Sequence, residues 1–521
     1  MIKRTKTLKR LLATGMAAIM TAGMLTGCGG GSSNSTDSSS GQESSGAESA
    51  EAEGGEAAAG ELDTSKEVAL SMYVISDRPA GQDIVDENLN KILKEKLNCT
   101  LKINYIGWAE YANKYPLLFS SGEEFDMAYA ASWLNYPSLA QKGAFMNLDE
   151  LWPTYAPDNF AAAPEAAKEQ ATVAGHYYCV PQQFATTNAY GAIYRKDLVE
   201  GSDWDGVMET FEDIEEYCDI VKELHPEIEP LDQYSAAPEW SLTYMRHQGY
   251  NALAEGIRYL WYDPTEENPK VVANESYEKM PEFLEMMARW NEKGFFTKSA
   301  LSDTDSQKFQ NGKAALRVHN IDTYRGQAIL HPDWGVSYSN FVKNLSHLPY
   351  TQDCMVISNT SKNPERAMAL WNLITTDQEV YDAFMYGVLD VTYTLQDDQF
   401  DITDKDLYGE GAMWAARTNE LNRNPVGTPE EFDIMKAEFE ETIAANNTAE
   451  KYSAFVFDTS TVETELAACN NVWQQYWWPL ELAYTDRETG LAEYAEKMKA
   501  AGLDKIMEEA QRQLDEYTAS H

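Results

Sequence analysis

Beyond about residue 67 the spacing of apolar residues changes period repeatedly, and each change predicts an element. Val68-Ala69-Leu70-Ser71-Met72-Tyr73-Val74-Ile75 is an almost unbroken apolar run and predicts a buried strand. From Asp83 to Asn98 the apolar residues Val85, Leu89, Ile92, Leu93 and Leu97 fall on one helical face. Cys99, Leu101, Ile103 and Tyr105 then alternate with polar neighbours, as in a half-buried strand. Trp108, Tyr111, Tyr115, Leu118 and Phe119 return to the helical period, with Gly122 placed to end the helix, and Phe125 to Ala130 predicts the next strand. Strand and helix alternating at this spacing predict a parallel, doubly wound α/β sheet. Further on, Pro281 to Gly294 and the segment opened by Asn363-Pro364 predict helices. The second carries a stripe of Ala367, Leu370, Trp371 and Ile374. From about Asp401 the pattern reads as helical and acidic, broken at Asn424-Pro425-Val426-Gly427, and residues 490–519 predict a final amphipathic helix or pair. No internal repeat is visible.

The first 27 residues follow a different rule. Lys3, Arg4, Lys6, Lys9 and Arg10 precede an apolar run from Leu11 to Met24, which ends in Leu25-Thr26-Gly27-Cys28. A basic start, a short apolar stretch and small residues at its end describe a secretory signal peptide. The run falls short of the roughly 20 apolar residues a membrane span needs. Its last four residues resemble a lipobox, which implies cleavage before Cys28 and lipid attachment to that cysteine. Two acyl chains anchor stably where one does not. Residues 28–66 are rich in Gly, Ser, Ala and Glu, with nothing to bury, and predict a flexible tether.

Residues 67–521 are too many for one compact core, so two lobes are expected. The chain carries 84 acidic against 41 basic residues, a formal charge of −43, which argues against nucleic acid as a partner. Cys99, Cys179, Cys218, Cys354 and Cys469 are odd in number and widely spaced, neither a disulfide framework nor a metal-ligand pattern. No metal or cofactor is expected. The 13 Trp and 30 Tyr hint at function, because sugar rings offer C–H faces that stack on aromatic planes.

Four segments, in order, resemble the family 1 extracellular solute-binding proteins that feed ATP-driven importers. They are Tyr178-Cys179-Val180-Pro181 leading to Tyr194-Arg195-Lys196-Asp197-Leu198; Glu209-Thr210-Phe211-Glu212-Asp213-Ile214; Phe309-Gln310-Asn311-Gly312-Lys313-Ala314-Ala315-Leu316; and Ser361-Lys362-Asn363-Pro364-Glu365-Arg366-Ala367. Ile75-Ser76-Asp77-Arg78-Pro79, Ile106-Gly107-Trp108 and Ala131-Ser132-Trp133 are similar to a Gram-positive branch of that family. Phe455-Val456-Phe457-Asp458 and Val462-Glu463-Thr464-Glu465 are similar to the branch's additional C-terminal domain. The resemblance implies a two-lobed, type II periplasmic-binding-protein-like α/β fold with discontinuous lobes, a hinge and a helix-rich C-terminal part. Lobe one is expected over 67–187 and 338–395, and lobe two over 188–337 and 396–521. It also implies a monomer on the outer face of the cytoplasmic membrane, with a sugar or oligosaccharide as ligand and permease subunits as partners.

In doubly wound sheets the ligand crevice lies beyond the carboxyl ends of the strands. That rule selects Asp77, Arg78, Trp108, Trp133 and Asn135. Asp77 and Arg78 could instead pair with each other and cap the next helix. Gln182, Gln183, Asn188 and Tyr190 flank the first crossover implied by the family, where amides could bind sugar hydroxyls or simply serve the loop. His319 and Asn320 end the strand after Gly312. Trp240, Trp261, Tyr338 and Trp473 are reserves, more readily core than cleft. The chain carries no nucleophile elbow, phosphate loop, dinucleotide fingerprint or paired-histidine helix. A non-catalytic receptor is therefore expected, against the alternatives of a surface glycoside hydrolase and an adhesin or scaffold lipoprotein.

Overall fold

The computed structural model describes residues 62–521 apart from 108–110, 235–238, 255 and 406. Residues 1–61, with the expected signal segment, Cys28 and most of the expected tether, and Trp108 lie outside the described residues. Val68–Ile75 pairs in parallel with Cys99–Ile106 on one side and with Met127–Ala130 on the other. The helix Gln82–Leu97 makes the first crossover and buries Val85, Leu89 and Leu93. It ends where Asn98 takes a left-handed conformation at φ 45°. Cys354–Ile357 and then Val180–Pro181 complete this first sheet as antiparallel strands. The second sheet runs Val336–Asn340, Tyr190–Arg195, Ala314–Asn320, Glu229–Leu231, with only the last pair parallel.

Each sheet has its own core. The first gathers Met72, Leu93, Met127, Val356, Leu370 and Trp371. The helix over Pro364–Thr376 opens on its proline as the sequence predicts, and buries Ala367, Leu370, Trp371 and Ile374. The second gathers Ile214, Tyr217, Trp240, Trp261, Trp290 and Leu316. The helix Phe211–Leu224 starts there in a capping box between Thr210 and Asp213. Met280–Lys293 closes on Gly294, at φ 70°. Of the reserve aromatics, Trp240, Trp261, Trp473 and Tyr338 are all buried.

Three expectations shift. Val336–Asn340 pairs as a whole strand with Tyr190–Arg195, so the chain leaves lobe two after Asn340 rather than at 338. The stretch after Asp401 is not helical. Tyr393–Gln396 and Gln399–Ile402 form a hairpin, and the long helix begins only at Glu430. That hairpin also belongs to the first core, where Tyr393, Phe400, Met413 and Ala416 are buried. Arg423 fastens it further by binding Asp382 of the helix Gln378–Met385. Lobe one therefore extends past 395 to about residue 426, and the chain crosses between lobes three times. An acidic stretch without a regular apolar period carries no sign of which core it will join.

The C-terminal helices Glu463–Val472, Arg487–Ala501 and Leu503–Ser520 pack on lobe two, burying Cys469, Met498, Ile506 and Leu514 in its core. Glu481 is wholly buried there and accepts hydrogen bonds from Ser241 N, Ser241 Oγ and Trp477 Nε1 at 2.9, 2.7 and 2.6 Å. The five described cysteines are buried and unpaired, packing as small apolar side chains.

Candidate functional site

The carboxyl ends of the first sheet's parallel strands all open on one side. There the chain after Ala130 turns sharply through Ser132–Leu134 into Asn135, whose φ of 59° suits its short polar side chain. The turn presents Trp133 half-buried. Its Nε1 donates to Gln352 O at 3.1 Å, which fixes the ring plane. Tyr111 stands 6.0 Å from Trp133 edge-on, Tyr129 lies 6.1 Å away, and Trp414 packs 5.7 Å from Tyr129. Of these four rings Tyr129 is fully buried and backs the others, while Tyr111 and Trp133 are the two that line open space. Asp353 is anchored behind them by Tyr129 Oη and by Arg417 Nη2 at 3.3 Å.

The facing edge of lobe two is polar and charged. Tyr190 and His319 are neighbours across two strands, their rings 5.6 Å apart, and the Arg246 guanidinium sits 5.3 Å from the Tyr190 ring. His319 is held by Thr323 Oγ1 at 2.7 Å, and burial lowers its pKa. Beside it a small recess of about 70 Å³ is lined by Asp232, Glu239, Arg317 and His319. The Asp232 side chain is 1% exposed, yet neither of its oxygens has a well-formed hydrogen bond among the described residues: the Phe309 backbone N–H is a weak partner and Arg317 Nη1 comes only to 4.0 Å. Burial pushes its pKa up to about 6, against the pull of Arg317 and Lys308. Burial acts in the same direction on Glu239, but Arg258, His319 and Arg246 outweigh it and hold its pKa below the usual value. An unsatisfied buried carboxylate is costly. It makes sense where a ligand hydroxyl completes the network.

Between the lobes lies a cavity of about 520 Å³, separate from the Asp232 recess. Trp133, Asn135, Arg246, Asn251, Tyr262 and His347 line it, together with Tyr452, Phe455 and Asn470 of the C-terminal region. This volume is in the range of small-molecule sites.

The residues singled out from sequence separate into groups. Trp133, Asn135 and Asn188 line the cavity, and Tyr190 and His319 lie together on the lobe-two sheet outside its lining. Asp77 and Arg78 are exposed. Arg78 binds Asp83 at 2.6 Å on the next helix rather than Asp77, whose carboxylate lies over Gly107 where a Cβ would stand. Gln182 is buried, its backbone N–H donating to Tyr350 O and Asp353 O. Gln183 donates to Asn159 O at 2.8 Å. Asn188 spends its amide on Ser346, donating to Oγ at 3.0 Å and accepting from the backbone N–H at 3.1 Å. Gln182 and Asn188 therefore stitch the first and second crossings together. Asn320 caps the helix Ile321–Leu330 by accepting from Thr323 N. Asp232 could have been found by the same strand-end rule, since it follows Glu229–Leu231, but a three-residue strand leaves little signal. Trp414 and Arg417 lay hidden in a stretch read as helix.

Two α/β lobes, three crossings and a polar–aromatic groove between the lobes define a receptor that holds a solute rather than a surface that binds a polymer's backbone charge. The model of the bacterial extracellular solute-binding protein family matches residues 78–381, and the chain belongs to that family. A domain of unknown function, DUF3502, matches residues 451–519. A carbohydrate ABC transporter substrate-binding protein of Streptococcus pneumoniae is 27% identical over 470 residues, 87% of this chain and 92% of that protein. The N-glycan transport solute binding protein NgtS of Streptococcus pneumoniae, solved in complex with Man5GlcNAc, matches with a TM-score of 0.69 at 25% identity, over 87% of this chain and 99% of that one. The alginate-binding protein AlgQ2 shares the fold, with a TM-score of 0.61 at 14% identity over 87% of this chain and 98% of that one.

Proposed function

We propose that this protein is a non-catalytic, lipid-anchored receptor that captures an oligosaccharide between its lobes and presents it to the permease of an ABC importer. The observation that carries the reading is the cavity between the lobes, where Tyr111 and Trp133 of lobe one meet Arg246 and Asn251 of lobe two. Sugar rings need both faces: aromatic planes for their C–H surfaces, and planar charged groups for their hydroxyls. The streptococcal relatives, named for carbohydrate and N-glycan transport, support the same ligand class. Ligand bound between the lobes biases an open–closed equilibrium only through better contacts in the closed form, and the permease senses that closure. The lipobox-like segment before Cys28 and the tether after it would keep the receptor within reach of its permease.

A thermal-shift series over Man1GlcNAc, Man5GlcNAc and kestose, then amino acids and peptides, tests the reading. A sugar at a hundred times its Kd should add about 2.7 kcal/mol of stability. Trp133→Ala should weaken that sugar about tenfold, the equivalent of about 1.4 kcal/mol for a lost aromatic contact. Mass spectrometry should recover the sugar intact. A peptide that shifts the melt while every sugar leaves it unmoved would overturn the ligand class, and cleaved sugar would overturn the non-catalytic role.

A further inference from the structure

The C-terminal domain is built into lobe two, yet it reaches across the mouth of the groove to lobe one. Leu466, Cys469 and Trp477 are buried in the lobe-two core. On the same segment Glu463 binds Lys142 Nζ at 2.5 Å and accepts from Ser138 Oγ, while Asp458 accepts from Gln141 Nε2 at 2.9 Å. Ser138 and Gln141 belong to the helix Tyr136–Gln141, which follows directly on the turn carrying Trp133. The seam therefore grips the element that supplies the stacking platform.

The 520 Å³ cavity lies just inside that seam, with Phe455, Val456 and Asn470 among its walls. Asn470 Oδ1 is buried without a hydrogen-bond partner among the described residues. A carbonyl oxygen left in that state suits a ligand hydroxyl.

We infer that the C-terminal domain is a third wall of the cleft and its clasp: Asn470 meets one end of the bound oligosaccharide, and Glu463 and Asp458 hold the lobes together over it. This rests on reading the groove as a glycan site. The strength of the clasp suits the role. Lys142 and Glu463 are 57% and 37% exposed, so the pair is weakened by solvent and shifts the closed population only a few-fold. A stronger bond would lock the receptor shut and block release to the permease.

Full-length Lys142→Glu, Glu463→Lys and the double swap, spin-labelled on each lobe, decide the matter. Pulsed distance measurements without ligand should show a longer interlobe distance in each single variant and a return towards wild type in the double. Single variants with the wild-type distance distribution would overturn the clasp. With Man5GlcNAc as probe, each single variant should bind about fivefold more weakly and the double should recover. Asn470→Ala should weaken binding without altering the distance; unchanged affinity would remove Asn470 from the wall. If wild type binds none of the sugars tested, the glycan reading fails, and the distances alone still decide whether the domain clasps the lobes.

Discussion

His347 sits on the second crossing and ties two C-terminal elements to the hinge. Its Nδ1 bonds Glu450 Oε1 at 2.7 Å, its Nε2 bonds Glu440 Oε2 at 3.0 Å, and its backbone N–H donates to Glu450 Oε2 at 2.9 Å. The Glu450 hydrogen bond is the main cause that raises the ring's pKa from 6.5 to about 9, with Glu440 adding to it against burial. Each pKa unit is worth 1.36 kcal/mol, so the shift corresponds to a ceiling of about 3 kcal/mol. His347 is 24% exposed and its partners 49% and 30%, so solvent screening reduces the figure to about 1–2 kcal/mol. The sign follows from the direction of the shift. The folded protein holds the proton more tightly, so the contribution is complete below pH 6.5 and is lost as pH rises through about 9. His347→Gln keeps a neutral hydrogen-bonding side chain and removes the charge. Its melting temperature should lie about 3–6 °C below wild type at pH 6, on the scale of one lobe, and the gap should close by about pH 10. Groups common to both proteins cancel in that difference. The histidine resonance missing from the variant's NMR spectrum should titrate near 9 in wild type. A midpoint near 6.5, or a stability gap unchanged across the pH range, would refute the account.

Other perturbations probe different parts of the chain. Glu481→Ala orphans the Ser241 N–H and Oγ donors and leaves Trp477 Nε1 only Ser241 Oγ at 3.3 Å, and should cost about 2–3 kcal/mol, while Glu481→Gln, which keeps an acceptor, should cost less; a melting loss under 1 kcal/mol for the alanine would contradict this. Gly191→Ala would put a Cβ 1.9 Å from Ser339 O, backbone against backbone, at the root of the first crossing. Soluble yield should collapse, and a normal melting curve would show that the strands can part there without cost. Cys28→Ala should free the protein from the membrane fraction or leave it unprocessed, and unchanged membrane association would refute lipid anchoring.

Periodicity alone determined much of the fold. Val68–Ile75, Cys99–Ile106 and the helix between them appear where the apolar spacing put them, because strands and helices bury one face at fixed periods. Gly294 ends its helix because few other residues accept φ 70°. Trp133 was legible from one rule, that crevices form beyond parallel strand ends. What only tertiary structure decided concerns residues that are far apart in sequence. Asp232, Glu239 and Arg317 meet because a short strand and the strand Ala314–Asn320 lie side by side, and no local pattern states that pairing. Gln182 and Asn188 carry the same amides whether they face a sugar or the protein; the fold puts Thr186 beside the Gln182 amide and Ser346 beside the Asn188 amide, while the Gln182 backbone N–H goes to Tyr350 and Asp353. The hairpin at Tyr393–Ile402 joined lobe one for the same reason. Burial is a property of what the fold brings alongside, and a single chain's pattern gives a residue's side of an element but not the element's neighbour.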